Sequence, residues 1–159
     1  MDELERLGLL TKAVSRESDR RLTEVLKPLG ITPSQAEVLQ LLALHGPMSL
    51  GELGGLVLAE GGHPSRLVDR MVTAGMVERR ESAEDRRRVE LTCTASGQQL
   101  ARDAADAKGQ FRVWLRQQLQ DSDLSPAMEV LADVLRGTAI ESTVAARTKR
   151  SLVNTRVSS

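Results

Sequence analysis

The chain has 159 residues, 40% of them hydrophobic, with Lys+Arg and Asp+Glu both at 22 and a formal net charge of zero. That length supports one modest core, or a small core with arms that bury their apolar faces on a partner. Balanced charge excludes a binder of polyanions that works by bulk charge alone, and one Trp, one Phe and no Tyr leave almost nothing to stack on single-stranded bases. Cys93 is the only cysteine, which excludes an intrachain disulfide. Without a basic-then-apolar leader or a run of about 18 apolar residues, a cytoplasmic protein with no membrane partner is expected.

In chain order, Leu4, Leu7, Thr11, Val14, Ser18, Leu22 and Val25 recur at helical steps and predict a first helix over 3–27 with a narrow apolar stripe, ended by Pro28 and Gly30. Thr32 as N-cap and Pro33 at the first position restart the chain. The second helix carries Ala36, Val38, Leu39, Leu41, Leu42 and Leu44, apolar on most sides and suited to the core. His45-Gly46-Pro47 closes it, and Met48 adds a short extended segment. Ser49-Leu50-Gly51-Glu52 fits a capping box, so a short third helix is expected, with Leu53, Leu56 and Val57, broken within about three turns by Glu60-Gly61-Gly62.

His63-Pro64 opens a fourth helix with Leu67, Val68, Met71 and Val72 on its buried side, and Gly75 is its left-handed cap. Two helices joined by a glycine-rich turn form a helix-turn-helix unit. Residues 76–80 and 89–93 are short, partly alternating runs separated by polar residues, which predicts a hairpin. Thr94 caps a fifth helix whose Leu100, Ala104, Ala107, Phe111 and Trp114 step by 4, 3, 4 and 3, the seam of a coiled-coil-like contact. Ser125-Pro126 starts a last helix with Val130, Leu131, Val134 and Leu135, followed from about Arg147 by a polar, frayed tail.

The stretch from His63 to Gly97 carries the functional signal. Arg66 and Arg70 sit one turn apart, and Asp85-Arg86-Arg87-Arg88 forms the tip of the hairpin beside them. Between Gly62 and Glu90 seven arginines face six acids, so their placement matters more than their number. A helix and an arginine-tipped hairpin fit the two surfaces of duplex DNA, the wide major groove and the narrow, strongly negative minor groove.

The order of elements resembles the MarR family of winged-helix transcription regulators over nearly the whole chain. The resemblance is carried by Gly30-Ile31-Thr32 with Val38-Leu39, by His45-Gly46-Pro47-Met48-Ser49 with Glu52-Leu53, and by Ser65-Arg66-Leu67-Val68-Asp69-Arg70-Met71 with Gly75-Met76-Val77. Asp85-Arg86-Arg87 followed by Val89, Leu91, Thr94 and Gly97 completes it. It implies a mainly α fold: a winged helix-turn-helix region over 31–94 with a small β-hairpin wing, flanked by N- and C-terminal helices (1–30 and 95–146) that form a dimerisation domain, then a polar tail over 147–159. It also implies a homodimer that places one recognition helix per subunit on a pseudo-palindromic operator in double-stranded DNA. The expected activity is transcriptional regulation, most simply repression, released by a small anionic or aromatic effector bound between the dimerising and DNA-binding regions.

On the matched motif, Ser65, Arg66 and Arg70 fall where the family contacts bases and phosphates, and Arg66 is the choice for bidentate base readout. In the family's D-x-R wing, Asp85 would steer Arg87 into the minor groove with Arg86 or Arg88 on phosphate; three successive arginines leave the tip residue open. The Gly61-Gly62-His63-Pro64 approach departs from the family's hydroxyl-rich start, since Pro64 cannot lie deep in a helix, and His63 is expected at the DNA surface in its place. Leu4, Leu7, Phe111, Trp114, Leu131 and Leu135 are expected in the dimer interface.

The remaining residues admit few other readings. Cys93, on a strand with no second cysteine and no tyrosine in the chain, reads as a small apolar residue and not as a redox sensor. Two histidines far apart give no metal site, no cofactor is implied, and no P-loop, G-x-S-x-G or H-E-x-x-H supports an enzyme. The alternative is a winged-helix module that binds a protein partner and not DNA.

Overall fold

Asp2 starts the first helix: its carboxylate accepts from the Glu5 amide at 2.8 Å while Glu5 reaches back to the Asp2 amide at 2.9 Å. In the computed structural model, which describes residues 1–58, 64–82, 85 and 87–157, this helix, α1, spans Glu3–Leu26. A single 3-10 turn follows at Lys27–Leu29, closed by Gly30 at φ 68°. Thr32 caps α2 (Pro33–His45) through a reciprocal box with Gln35, as its sequence requires. Ala36, Val38, Leu39, Leu41 and Leu42 are buried, so α2 forms the centre of the core.

Helix α3 (Leu50–Gly54) has the Ser49–Glu52 capping box but only five residues. It ends before Leu56 and Val57, which the sequence reading places on it, because Gly54 and Gly55 stand in succession and each costs about 1 kcal/mol in a helix interior relative to alanine. Helix α4 runs Pro64–Thr73 and begins on its proline. Gly75, at φ 68°, ends it in the left-handed conformation that L side chains rarely adopt.

The strands β1 (Val77–Glu81) and β2 (Val89–Cys93) pair antiparallel, Val77 opposite Cys93 and Glu81 opposite Val89. Met48 adds an isolated bridge to Leu91, with amide–carbonyl bonds of 3.2 and 2.8 Å. The hairpin is thereby pinned to the end of α2.

Thr94 Oγ1 accepts from the Gly97 amide at 3.0 Å and caps α5 (Ala95–Leu119). Gly97 lies against the β1 side of the molecule, where a Cβ would stand 1.9 Å from the Met76 carbonyl oxygen. Only glycine lets α5 start this close to the end of α4. Ala101 and Ala104 are buried further along α5, which packs against α1 and α2.

Beyond α5 the structure differs from the sequence expectation. The last helix is two: α6 (Ser125–Leu135) and α7 (Ala139–Val157), separated at Arg136–Thr138 with Gly137 at φ 76°. The segment from Arg147, expected as a frayed tail, continues as helix, and Ala146 packs on the core. Among the described residues no helix is long and apolar enough to cross a membrane.

Candidate nucleic-acid interface

Helix α4 separates its residues by chemistry. Val68 and Met71 are fully buried, Leu67 and Val72 pack partly on the core, and Arg66 and Arg70 are exposed. Residues four apart on a helix lie about 5–6 Å apart at Cβ, so both guanidinium groups leave from one side. Among the described residues neither arginine has an ion-pair partner. Ser65 is half-buried in the first turn. His63 lies outside the described residues.

Three contacts fix this helix to the hairpin and to α5. Arg79 of β1 donates to Asp69 Oδ1 at 2.6 Å, and Asp69 stands between Arg66 and Arg70 in sequence. Thr94 and Ser96 hydroxyls donate to the Gly75 carbonyl at 2.6 and 3.0 Å, tying the end of α4 to the start of α5. The sequence reading missed Arg79 as part of the interface, since alternation along β1 identifies its face and not its partner.

At the hairpin tip, Asp85 Oδ1 accepts from the Arg87 amide at 2.9 Å and the Asp85 carbonyl accepts from the Arg88 amide at 2.9 Å. Asp85 therefore shapes the backbone of the turn, and its contact with Arg87 is to the peptide amide and not a carboxylate–guanidinium pair. The Arg88 carbonyl accepts from the Ser82 amide at 2.8 Å and closes the loop. Arg88 Nη2 stands 3.7 Å from Glu52 Oε2, so it leans back on α3, whereas Arg87 is exposed and has no ion-pair partner among the described residues. Arg86 lies outside the described residues.

The expected interface residues of the terminal helices divide in two. Leu4 and Leu131 are exposed and Leu7 and Leu135 half-buried, with Leu10, Val14, Val130 and Val134 exposed beside them. Phe111 and Trp114 pack against each other with ring centroids 5.5 Å apart and planes tilted by 37°, and the Arg21 guanidinium covers the Trp114 ring at 3.8 Å. Both aromatics thus have partners within the chain as well as exposed surface.

Between α1, α2, α5 and α7 lies a cavity of about 430 Å³ lined by Asp19, Ser34, Glu37, Lys108 and Arg147 among others. Lys108 Nζ donates to Gln40 Oε1 at 2.7 Å. Burial depresses the Lys108 ammonium below the usual lysine range, offset by the nearby Glu37 carboxylate and reinforced by Arg147. Arg147 pairs with Glu37. None of these four was singled out from sequence; Lys108, a charge between the seam residues Ala104, Ala107 and Phe111 of α5, was the available signal. Among the described residues no group of three or more His, Cys, Asp or Glu is arranged to hold a metal.

Comparison with known proteins agrees with this geometry. Residues 31–89 match the profile of the MarR family. The multiple antibiotic resistance protein MarR of Escherichia coli K12 is 32% identical over 109 residues, 69% of this chain and 76% of that protein. The organic hydroperoxide resistance transcriptional regulator of Bacillus subtilis 168 is 29% identical over 130 residues, 81% of this chain and 88% of that one. The crystal structure of a mutant MarR from E. coli complexed with operator DNA superimposes with a TM-score of 0.72 at 30% identity, over 84% of this chain and 96% of the other. A helix-turn-helix with an antiparallel wing, flanked by long terminal helices and shared with relatives that include a named transcriptional regulator, places this chain in the MarR family.

Proposed function

We propose that the protein is a homodimeric, sequence-specific regulator of transcription that binds double-stranded DNA through α4 and the wing. The observation that carries this is the pair Arg66 and Arg70, exposed on the outer side of α4, beside a wing that Arg79 holds through Asp69. A relative with 30% identity is solved on operator DNA with the same fold. Arg66 reads a base edge, Ser65 and Arg70 contact the backbone near it, and Arg87 enters the minor groove. His63, Asp85, Arg86 and Arg88 complete the surface, Asp85 by holding the turn.

In this reading, residues 1–30 and 95–146 form the dimerisation region. Leu4, Leu10, Val14, Val130, Leu131 and Val134 leave an apolar face across α1 and α6 uncovered. Shallow hollows there, lined by Leu7, Leu10, Val14, Val130 and Leu131, suit the interdigitating side chains of a second copy. A stable interface of this kind buries about 1,600 Å² in total. The cavity carrying Lys108 and Arg147 is the place for a small anionic or aromatic effector that lowers DNA affinity, so that the protein represses until the effector arrives. Such a regulator works in the cytoplasm.

The test is fluorescence anisotropy with duplex DNA at several salt concentrations. Arg66→Ala weakens binding and relaxes base preference by roughly 1–3 kcal/mol, whereas Arg87→Ala weakens binding and reduces the salt slope by about one. Binding without salt dependence, or unchanged in both variants, would favour a winged-helix module that engages a protein.

A further inference from the structure

Glu37 occupies a position that the DNA-binding reading does not use. It projects from α2, outside the winged hairpin and outside the apolar face of the terminal helices. Its carboxylate is largely withdrawn from water, with 13% side-chain exposure. The same oxygen, Oε1, accepts from the Leu58 backbone amide at 3.1 Å and from Arg147 Nη1. Leu58 belongs to the segment between α3 and α4, and Arg147 belongs to α7. One atom therefore joins the C-terminal helix to the backbone at Leu58, four residues beyond the end of α3.

The chemistry favours a single geometry. A carboxylate with little exposure is costly unless charged donors hold it, and the guanidinium of Arg147 supplies that charge while itself only 33% exposed. A hydrogen bond from a backbone amide to an ionised acceptor is stronger than a neutral one, so the Leu58 amide gains from Arg147 keeping Glu37 in place. Lys108, which lines the same cavity and donates to Gln40, adds positive charge nearby.

We propose that Glu37 is a positioning residue that couples α7 to the recognition helix: Arg147 holds its carboxylate, and the carboxylate holds the Leu58 amide ahead of α4. Displacing Arg147, by movement of α7 or by an anion that competes for its guanidinium in the cavity, then frees the Leu58 amide and weakens readout by α4. The consequence for DNA rests on the proposed function above; the coupling itself does not.

The experiment is amide hydrogen exchange on the free full-length protein, followed by DNA binding on the same variants. Glu37→Ala speeds exchange at Leu58 about tenfold, and Arg147→Met speeds it several-fold although Arg147 does not touch Leu58. The double variant behaves like Glu37→Ala alone, because both changes break one chain of contacts. Arg147→Lys restores most of the protection, and Glu37→Gln, which keeps an acceptor but loses the charge, falls between. Operator affinity follows the same rank with an unchanged salt slope, since no phosphate contact is removed.

Unchanged Leu58 exchange in Arg147→Met, or strictly additive effects in the double variant, would overturn the coupling. Should Glu37→Ala fail to fold, Arg147→Met against Arg147→Lys carries the same decision. Exchange behaviour as described in a protein that binds no DNA would sink the proposed function and leave the coupling standing. Normal DNA binding with no exchange response would do the reverse.

Discussion

Arg79 on β1 donates a 2.6 Å hydrogen bond to Asp69 on α4, and so fixes the wing against the helix that carries Arg66 and Arg70. Both partners are about half exposed, at 43% and 58%, and exposed pairs contribute only about 0–1 kcal/mol to stability. Its effect is on orientation. Arg79→Gln is expected to shift urea unfolding by less than about 1 kcal/mol while lowering the ratio of specific to unrelated DNA affinity. Asp69→Asn keeps an acceptor for Arg79 but weakens the clamp and removes a negative charge beside Arg66 and Arg70, so its affinity for unrelated DNA is expected to rise as discrimination falls. Equal specificity ratios for wild type and Arg79→Gln would show that the clamp has no part in readout.

Gly97 and Gly109 make a matched pair on α5. At Gly97 a Cβ would meet the Met76 carbonyl oxygen at 1.9 Å, whereas at Gly109 the nearest atom is the end of the Arg112 side chain at 4.0 Å. Gly97→Ala should destabilise by about 3 kcal/mol or more, because backbone must move. Gly109→Ala should stabilise by roughly 0.5–1 kcal/mol through helix propensity. Urea titrations of both variants check this, and a neutral Gly97→Ala would mean that the approach of α5 to Met76 is looser than described.

Much of this architecture is legible in the sequence because it is local. Thr32-Pro33, Ser49 with Glu52, Gly75 and Thr94 each act within a few residues of themselves, and each does in the structure what its spacing predicts. What the sequence hides is pairing across distance. Arg79 meets Asp69, Arg88 leans on Glu52, and Arg147 reaches Glu37 from the far end of the chain. None of these pairs has a periodicity to betray it. The C-terminal half of α7 escaped for a related reason: from Arg147 its polar composition reads as tail, and the packing of α7 through Ala146 and the Arg147 pair comes from tertiary contacts.

Cys93 is buried on β2, its thiol directed at the Leu39 carbonyl at 3.6 Å, and burial raises its pKa, disfavouring the thiolate. The thiolate is the reactive form, so at neutral pH the folded protein should react with iodoacetamide far more slowly than after denaturation in urea. DNA binding should be insensitive to organic hydroperoxide, even though one relative is an organic hydroperoxide resistance regulator. Rapid labelling of the native protein, or peroxide-sensitive binding lost in Cys93→Ala, would reverse this assignment.

The apolar face of α1 and α6 offers a prediction about assembly. Leu10 and Leu131 line one hollow on that face and are exposed at 52% and 45%. Leu10→Glu with Leu131→Glu places four like charges at a symmetric interface, so the variant should sediment as a monomer while the wild type sediments as a dimer. Its circular dichroism should retain the helices of the core, and its affinity for a two-half-site duplex should fall towards that for one half-site. A wild type that sediments as a monomer at micromolar concentration would remove the dimer from the proposal.

The most direct measurement is selection of bound sequences from a random duplex DNA library with the wild-type protein, with Arg66→Ala run in parallel. A symmetric regulator with two α4 helices is expected to enrich a pseudo-palindrome whose half-sites lie about one helical turn, roughly 34–36 Å, apart. Its affinity should fall with salt at a slope of about 0.9 per phosphate neutralised, and Arg66→Ala should blur the motif at one position in each half-site. No enriched motif, or an asymmetric one unchanged by Arg66→Ala, would contradict the assignment of α4 and the wing as a DNA-reading surface.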